Sequence, residues 1–245
     1  MQFSSTVSFE RRLQPELMDQ PGLDPHRHHQ ALNGLRRINW LSGSAGIVWP
    51  SIRQLARRLG SSRIRVLDVA SGGGDVAIAL WRLARRRGLD LTILGCDISP
   101  QAVEFAKKRS SLAGTDIKFC THDVLRQELP ETWDVVMSSL FLHHLTHLEA
   151  VDLLCRMARA TQHLLLINDL RRSVPNYVLA QVVCRLLTRS PVVHNDGPSS
   201  VAASFTLAEV RSLCVQAQLA PVTIERRWPF RFLLTWDSSR VRVPH

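Results

Sequence analysis

The segment VLDVASGGGDVAIAL, residues 66–80, joins an apolar run, an aspartate, three consecutive glycines and a second apolar stretch with helical periodicity. The first run is typical of a buried strand, and the glycines at 72–74 are typical of a tight turn that leads into a helix. In a doubly wound sheet, ligands bind beyond the carboxyl ends of the strands, where such a turn meets a helix N-terminus. The segment therefore predicts an α/β fold with a ligand site next to Asp68.

Strand-like and helix-like runs alternate through the rest of the central region. The strands are predicted at IRVLDV, LTILGC, DIKFCT, WDVVMS and HLLLIN, and the helices at about Asp75 to Arg87, Pro100 to about Leu112 and about His147 to Ala160. Ser99 precedes a proline as an N-cap does, and Thr146 and Thr206 each open a capping box with a glutamate three residues later. This alternation predicts a doubly wound, mostly parallel sheet with helices on both faces.

The regions that flank this core have different patterns. Residues 1–60 have helical, amphipathic patterning broken by a turn at 19–28, and we expect an N-terminal helical segment beside a domain that spans residues 61–245. Residues 171–205 are predicted to be an insertion, a helix followed by a turn-rich loop. The closing runs PVTIERRW and RFLLTW, which Pro229 separates, are predicted to form a hairpin-like pair of edge strands.

The amino-acid composition indicates which broad class of protein the chain belongs to. The chain has 245 residues, of which 45% are hydrophobic, enough for the core of a single domain with additions. Its cysteines are scattered, with no C-x-x-C pair, which argues against a disulfide framework or a zinc site and indicates a reducing compartment. No stretch approaches the roughly 20 apolar residues of a membrane span, and the N-terminus lacks the apolar core of a signal peptide. We therefore expect a cytoplasmic protein with no metal.

The chain is strongly basic, with 31 Lys and Arg against 21 Asp and Glu and a net charge of +10. Such an excess favours anionic partners such as nucleic acid or lipid headgroups. Arginines at helix ends and on polar helix faces give the same charge without any partner, and aromatic residues do not interleave with the basic runs at 57–65 and 82–88. We therefore interpret the charge as a solvated surface and keep nucleic acid as the alternative.

Two classes of ligand compete for the glycine turn. Residues 72–77 satisfy G-x-G-x-x-A, and Asp97 follows at about the distance of the ribose-binding acid of dinucleotide sites. Asp68, however, would then face the pyrophosphate that the helix N-terminus holds. S-adenosylmethionine has no phosphate; it has an ammonium group for Asp68 and a carboxylate for the backbone N–H groups of the helix. The aspartate ahead of the glycines therefore favours S-adenosylmethionine.

Two further acids follow later strands. We expect Asp97 to accept hydrogen bonds from the ribose hydroxyls, and Asp123 to accept from the adenine amino group while the N–H of Val124 serves a ring nitrogen. Each acid taken alone also fits a turn former or a helix cap. Three acids at three successive strand ends favour one shared ligand.

The runs DVASGGGDVAIAL, GCDISPQAVEFAKKR, HDVL and WDVVMSSLFLHHL resemble motifs of the class I S-adenosylmethionine-dependent methyltransferases, closest in character to the ubiquinone/menaquinone biosynthesis C-methyltransferases. The resemblance covers roughly residues 60–170, and Ala70 stands where the family has its first motif glycine. It implies a Rossmann-like sheet of seven strands, the last antiparallel, and S-adenosylmethionine as cofactor. The residues expected to bind that cofactor are Asp68, Ala70, Ser71, Gly72, Gly73, Gly74, Asp97, Ile98, Asp123, Val124 and Ser139.

Methyl transfer needs alignment, exclusion of water and, for a phenol or enol, removal of a proton. His143 and His144, ahead of the helix that Thr146 caps, are the candidate catalytic bases. Either ring could instead bond the loop backbone or pack under the cofactor. Asp169 is expected to orient the acceptor or to cap a turn. We expect His194 and Asp196 to lie in a solvated turn. The alternative is that their side chains extend from the insertion into the site.

Residues 10–40 and 171–205 are expected to flank the site as a lid. They mix apolar residues (Leu35, Ile38, Trp40, Val178, Leu179, Leu187) with arginines (Arg36, Arg37, Arg171, Arg172). This mixture favours a small apolar acceptor with an anionic or phenolic head, although the same spacing fits ordinary core.

The sequence thus predicts an enzyme that methylates oxygen or carbon of a phenolic, polyketide-like or quinone-like compound. RNA or protein methylation is an alternative, although SSLFLHHL after the fourth strand lacks the Asn/Asp-Pro-Pro-aromatic tetrad that usually forms the site for methylation of base amino groups. An NAD(P)-dependent oxidoreductase and a non-catalytic module that binds S-adenosylmethionine remain further alternatives.

Overall fold

A mixed sheet of seven strands organises the part of the chain that the computed structural model describes, residues 9–14, 17, 24, 43–188 and 190–240. The strands are β1 (Arg63–Val69), β2 (Asp90–Asp97), β3 (Lys118–Thr121), β4 (Trp133–Ser139), β5 (Thr161–Leu170), β6 (Val222–Arg227) and β7 (Arg231–Asp237). The helices are α1 (Ser44–Leu59), α2 (Asp75–Arg85), α3 (Pro100–Leu112), α4 (His147–Ala160), α5 (Val174–Leu187), α6 (Pro191–Ala203) and α7 (Leu207–Gln216). A short 3₁₀ turn, Leu142–His144, lies between β4 and α4.

The strand order is β3-β2-β1-β4-β5-β7-β6, in which β1 to β5 are mutually parallel and β7 is antiparallel to β5. The chain moves outward from β1 in one direction and from β4 in the other, so the switch point lies between these two neighbours. A crevice opens there at the carboxyl ends of the strands. The predicted doubly wound, seven-stranded sheet is confirmed.

Alternate residues of the central strands enter two separate cores. Val66 of β1 packs with α1, α2 and α3 on one face, whereas its neighbour Leu67 packs with α4 and α7 on the other. Both faces are apolar because successive side chains of a strand point to opposite sides. Each such fully buried side chain stabilises the fold by about 1.5–3 kcal/mol. The two layers of helices hold the strand ends that carry the site.

The predicted helix starts are confirmed by their caps. The Ser99 hydroxyl accepts a hydrogen bond from the N–H of Ala102 at 3.2 Å, directly ahead of Pro100. Capping boxes join Thr146 to Glu149 and Thr206 to Glu209, with both reciprocal hydrogen bonds present. Each cap contributes about 1 kcal/mol and fixes where the helix leaves the strand end.

The insertion differs from its prediction. Its second half is the helix α6, and Asn195 to Pro198, predicted as a solvated turn, lie inside that helix. The Asp196 side chain is buried and accepts a hydrogen bond from the N–H of Leu17 at 3.0 Å. A Cβ on Gly197 would lie 2.3 Å from Sγ of Cys184 in α5, so the glycine allows the two helices to touch. Packing between helices therefore overrides local turn propensity.

Two further predictions needed correction. β6 and β7 do form a hairpin, but β7 lies between β5 and β6 with most of its side chains buried, so β6 is the only one of the two that is an edge strand. Residues 9–14 have no regular secondary structure, whereas helical patterning was expected throughout residues 1–60. α1 is helical as predicted. The predicted turn at 19–28, apart from Asp24, and the lid residues 35–40 lie outside the described residues.

Within the described ranges, no helix is both long enough and apolar enough to cross a bilayer.

Candidate functional site

Asp68 lies near the carboxyl end of β1, where the sheet opens. The residue is 2% exposed. Burial, followed by the charge of Asp97, raises the pKa of Asp68 to about 7. Ionising a carboxyl group in such a place is unfavourable unless a cationic donor comes to it. The site is therefore suited to an ammonium group.

Four buried polar atoms around this edge of the sheet have no hydrogen-bond partner among the described residues. They are Oδ2 of Asp68, Oγ of Ser71 in the turn after β1, Nε2 of His122 just after β3, and Oδ1 of Asn168 near the end of β5. Buried polar groups in folded proteins are nearly always hydrogen-bonded. Their concentration at one edge indicates the place where a polar ligand completes the structure.

The glycines after β1 have two different tasks. Gly72 has a φ of +52°, and a Cβ built on it would meet nothing within 4 Å, so its bare backbone faces open space. Gly74 has a φ of +73°, and a Cβ there would lie 2.8 Å from the ring of Phe119 on β3. Gly74 thus lets α2 start against the sheet, whereas Gly72 leaves room for a ligand. Gly73 is held by the Arg109 guanidinium, which donates to its carbonyl at 2.7 Å.

Ala70 opens this turn with a φ of 55°, in the left-handed region. It stands where the motif of the resembling family has its first glycine, which adopts this conformation without strain. Alanine retains the backbone path there at a cost of about 1–2 kcal/mol.

Asp97 connects the end of β2 to the glycine turn. Its Oδ2 accepts a hydrogen bond from the N–H of Gly72 at 2.8 Å, and its Oδ1 accepts from the N–H of Ser99 at 2.9 Å. Burial raises the pKa of Asp97, and these two hydrogen bonds act in the opposite direction. Each carboxylate oxygen has a second acceptor position that remains for a ligand hydroxyl. The adjacent Ile98 is exposed.

Asp123 follows β3 and closes a turn. Its Oδ1 accepts hydrogen bonds from the N–H groups of Leu125 at 3.0 Å and Arg126 at 3.2 Å. This is the turn-forming role that the sequence left open beside the adenine-binding one. The Val124 side chain is buried in the core. The structure therefore joins Gly72 to Asp97 by a hydrogen bond, places Asp68 where the charge of Asp97 acts on it, and places Asp123 one strand further along the same edge.

On the other side of the switch point, His143 and Asp169 form a buried pair. His143 is 4% exposed, and its Nδ1 lies 2.6 Å from Oδ1 of Asp169. The backbone N–H of His143 also donates to Oδ2 of Asp169 at 3.3 Å. Burial acts to raise the pKa of Asp169, but the charge of His143 and the hydrogen bonds from His143 and Leu170 hold it below its ordinary value. Asp169 is thus a carboxylate, and it orients the imidazole.

His144 has a different environment from its neighbour. Its ring centroid lies 4.3 Å from that of His143 and 6.1 Å from that of Phe141. Burial, and then the charge of His143, lower the pKa of His144 to about 3. His144 is therefore neutral over the physiological range. Ser139, at the end of β4, accepts a hydrogen bond from Nδ2 of Asn168 at 3.4 Å.

The remaining predicted residues lie away from His143 and Asp169 or outside the described residues. Nε2 of His194 lies 2.7 Å from the carbonyl oxygen of Thr188, and Asp196 bonds the N-terminal segment. Val178 on α5 is exposed, and nothing is described of the Leu187 side chain. Leu35, Arg36, Arg37, Ile38 and Trp40 lie outside the described residues. No group of three or more His, Cys, Asp or Glu in the described part of the chain is placed to hold a metal ion.

Sequence reasoning missed the pairing of His143 with Asp169 and missed Arg11 entirely. Arg11 donates to the backbone carbonyl of His143 at 3.1 Å. The available signal for the pair was the position of Asp169 at the end of a strand that neighbours β4 in a doubly wound sheet. Arg11 had no such signal, because its partners are backbone oxygens that every residue has.

Comparisons with known proteins point in one direction. A family model described as "Methyltransferase domain" matches residues 66–163. The chain is 28% identical over 173 residues to the ubiquinone biosynthesis O-methyltransferase of Xanthomonas campestris pv. campestris, covering 67% of this chain and 70% of that protein. It is 35% identical over 102 residues to the ribosomal protein L11 methyltransferase of Geobacter sulfurreducens, covering 42% of this chain and 31% of that protein.

Among solved structures, the chain resembles the S-adenosylmethionine-dependent methyltransferase SibL in its apo form. The TM-score is 0.66 at 19% identity, and the match covers 91% of this chain and 62% of SibL. The chain thus spans less than two thirds of SibL and less than a third of the Geobacter relative. At this identity the likeness shows the fold.

Proposed function

We propose that the chain is a class I S-adenosylmethionine-dependent methyltransferase, with S-adenosylmethionine as its cofactor, and that it methylates an oxygen or carbon atom of a small, largely apolar acceptor. The cofactor supplies, when bound, a methyl group that is already activated on a sulfonium. The protein therefore has to bind the cofactor, orient the acceptor, exclude water and accept a proton.

The observation that carries the proposal is the buried, unpartnered Oδ2 of Asp68 beside the open backbone of Gly72. In our proposal, Asp68 binds the ammonium group of the cofactor, and the glycine turn at the N-terminus of α2 binds its carboxylate. Asp97 takes the ribose hydroxyls. Asp123 and the N–H of Val124 take the adenine. The remaining contacts are assigned to Ala70, Ser71, Gly73, Gly74, Ile98 and Ser139.

His143 is the proposed general base. In the neutral form of His143, the ring donates its Nδ1–H to the Asp169 carboxylate and has its basic lone pair on Nε2, the atom proposed to take a proton from the acceptor. The imidazolium that forms is stabilised by the Asp169 charge 2.6 Å away. His144 is proposed to pack beside this ring in its neutral form, since its lowered pKa makes it a poor proton acceptor.

The pair suits an acceptor with an ionisable hydroxyl, such as a phenol, a quinol or an enolised polyketide. An apolar acceptor is supported by the surroundings of the β5 end, because α5 begins four residues after Leu170 and exposes Val174, Val178, Val182 and Leu186. It is also supported by similarity to a relative named for ubiquinone biosynthesis. All five cysteines are free thiols, which supports a cytoplasmic location for the enzyme.

The proposal is tested in two steps. Calorimetric titration with S-adenosylhomocysteine should give binding, and Asp68→Ala should weaken it by at least about tenfold. The wild type should then convert members of a panel of phenols, catechols and short-chain quinols, given S-adenosylmethionine, into products heavier by one methylene group in mass spectra.

His143→Ala should retain binding of S-adenosylhomocysteine and lose about 10²–10⁴ in turnover. His147→Ala is the matched control, since His147 is exposed on α4 and bonds Gln216. Turnover of His143→Ala at the wild-type rate would remove the base assignment, and absence of any S-adenosylhomocysteine binding would overturn the function. If the protein methylates bulk RNA in preference to the compounds of the panel, the proposed class of small apolar acceptor is wrong and RNA takes its place.

A further inference from the structure

Arg11 ties the N-terminal segment to the turn that carries His143. Its Nη2 donates to the carbonyl oxygens of His143 at 3.1 Å and Leu145 at 2.6 Å, and its Nε donates to that of Ala203 at 2.5 Å. The guanidinium thus connects the end of α6 with the middle and the C-terminal end of the 3₁₀ turn between β4 and α4. Hydrogen bonds from a charged donor are about twice as strong as neutral ones.

The guanidinium of Arg11 is taken out of water at this junction. Its central carbon lies 3.8 Å from the centroid of the Phe205 ring, so the charged group stacks on an aromatic face. Burial lowers the pKa of Arg11, and the charge of Glu209 acts in the opposite direction. A planar donor fork over an aromatic ring is a geometry that lysine does not reproduce. The contact is therefore specific to arginine.

The segment that carries Arg11 is anchored independently by Arg172. Arg172 is buried, and its side chain donates to the carbonyl oxygens of Phe9 at 2.9 Å and Ser204 at 2.7 Å and to the carboxylate of Glu209 at 2.7 Å. The N–H of Arg12 also donates to the carbonyl oxygen of Ala202 at 3.0 Å. Residues 9–12 are therefore fixed on the junction between α6 and α7 without help from the Arg11 side chain.

His143 is consequently held from two sides. Asp169 bonds its backbone N–H and its ring, and Arg11 bonds its carbonyl oxygen. We infer that Arg11 is a positioning residue for the reaction: it fixes the 3₁₀ turn so that the ring of His143 stays in line with the acceptor. This inference rests on the role proposed for His143. Arg11 would thus act on the reaction through His143, from a segment to which no cofactor contact is assigned.

The test compares Arg11→Ala, Arg11→Lys and the control Arg12→Ala, which removes the same charge from an exposed neighbour. Hydrogen exchange of the amides of His143, His144 and Leu145 should become about tenfold faster in Arg11→Ala, while amides of β1 and α2 keep their rates. Arg11→Lys should restore exchange only in part. Titration with S-adenosylhomocysteine should give the same affinity for all four proteins.

For an acceptor from the panel, Arg11→Ala should lower kcat by at least about tenfold and leave KM for S-adenosylmethionine unchanged. Unchanged exchange of the turn, or a loss of kcat of the same size in Arg12→Ala, would overturn the inference. If Arg11→Ala is unstable, the same measurements are made on Arg11→Lys. Exchange rates and a kcat equal to those of the wild type in Arg11→Lys would then overturn the inference. If the wild type methylates no acceptor, the proposed function fails, and the exchange rates still decide whether Arg11 holds the turn.

Discussion

Nδ1 of His143 lies 2.6 Å from Oδ1 of Asp169 across 26 residues of sequence that include the whole of α4. The two meet because β5 runs parallel to β4 at its side, so the end of β5 returns to the turn that leaves β4. Both side chains are almost fully buried. The sheet topology itself, rather than any local motif, therefore builds the pair.

Asp169→Asn tests this pair. Without the carboxylate, the imidazole loses its preferred tautomer and the charge that stabilises its protonated form, so methyl transfer should fall by about 10²–10⁴. Affinity for S-adenosylhomocysteine should stay within about twofold, because Asp169 lies on the side of the switch point proposed for the acceptor. Asp152→Asn on α4, an exposed ion-pair partner of Arg156, is the control. A variant with wild-type kcat would show that Asp169 has only a structural role.

Asp68→Asn should change the stability of the cofactor-free protein and its affinity for the cofactor in opposite directions at high pH. The pKa of Asp68 is raised to about 7 in the folded protein, so folding favours the protonated carboxyl group. The stability that the wild type has from this preference is fully present below the unfolded pKa and is lost as the pH rises towards 7. The stability of the variant relative to the wild type should therefore increase by about 2 kcal/mol between pH 5 and pH 8. Urea unfolding of the cofactor-free proteins measures this difference.

The same Asp68→Asn variant should bind S-adenosylhomocysteine at least about tenfold more weakly, since it lacks the charge for the ammonium group. Lower stability at pH 8 together with normal affinity would contradict both parts of this expectation.

Gly72→Ala and Gly60→Ala form a matched pair. Both glycines have left-handed φ angles, +52° and +61°, and a Cβ on either meets nothing within 4 Å. Each substitution should reduce the free energy of unfolding by about 1 kcal/mol, the cost of that backbone conformation for alanine. Only Gly72→Ala should weaken S-adenosylhomocysteine binding, by at least about tenfold, because its methyl group occupies the space next to the turn. Equal affinities in calorimetry would place the ligand elsewhere.

His144 should make the wild type sensitive to acid. Its pKa is lowered to about 3 in the folded state, so the unfolded chain binds the proton more readily and stability falls as the pH drops below the ordinary histidine value. Between pH 7.5 and pH 5, the wild type should lose about 2 kcal/mol relative to His144→Gln. Urea unfolding at the two pH values, with His147→Gln as the control, measures this difference. Equal losses in all three proteins would mean that His144 titrates normally.

Most of the fold could be predicted because its signals are local. Alternating runs locate β1 to β5, and caps such as Ser99 and Thr146 fix the helix starts. The position of β7 inside the sheet could not be predicted, since a hairpin pattern does not say which of its strands meets β5. The helix at 191–203 was missed because contact between Gly197 and Cys184, which are distant in sequence, decides the conformation.

The side of the site proposed for the cofactor was more predictable than the side proposed for the acceptor. Asp68, Gly72 and Asp97 follow motif spacing, because a strand end and a turn place them together. His143 and Asp169 were both named from the sequence, but their pairing depends on which strands are neighbours. Arg11 bonds His143 only at its backbone carbonyl oxygen. Every residue has such an oxygen, so the contact gives no signal in the sequence.

The position of the switch point between β1 and β4 has a consequence for how this protein could diversify. The groups assigned to the cofactor belong mainly to the β1-to-β3 half, whereas His143, Asp169 and Arg11, which bonds His143, belong to the other half and to the segments packed on it. The stretch shared with the methyltransferase family ends at residue 163, before Asp169. On the proposed assignment, selection for a new acceptor would rebuild one half of the molecule while the other keeps the methyl donor in place.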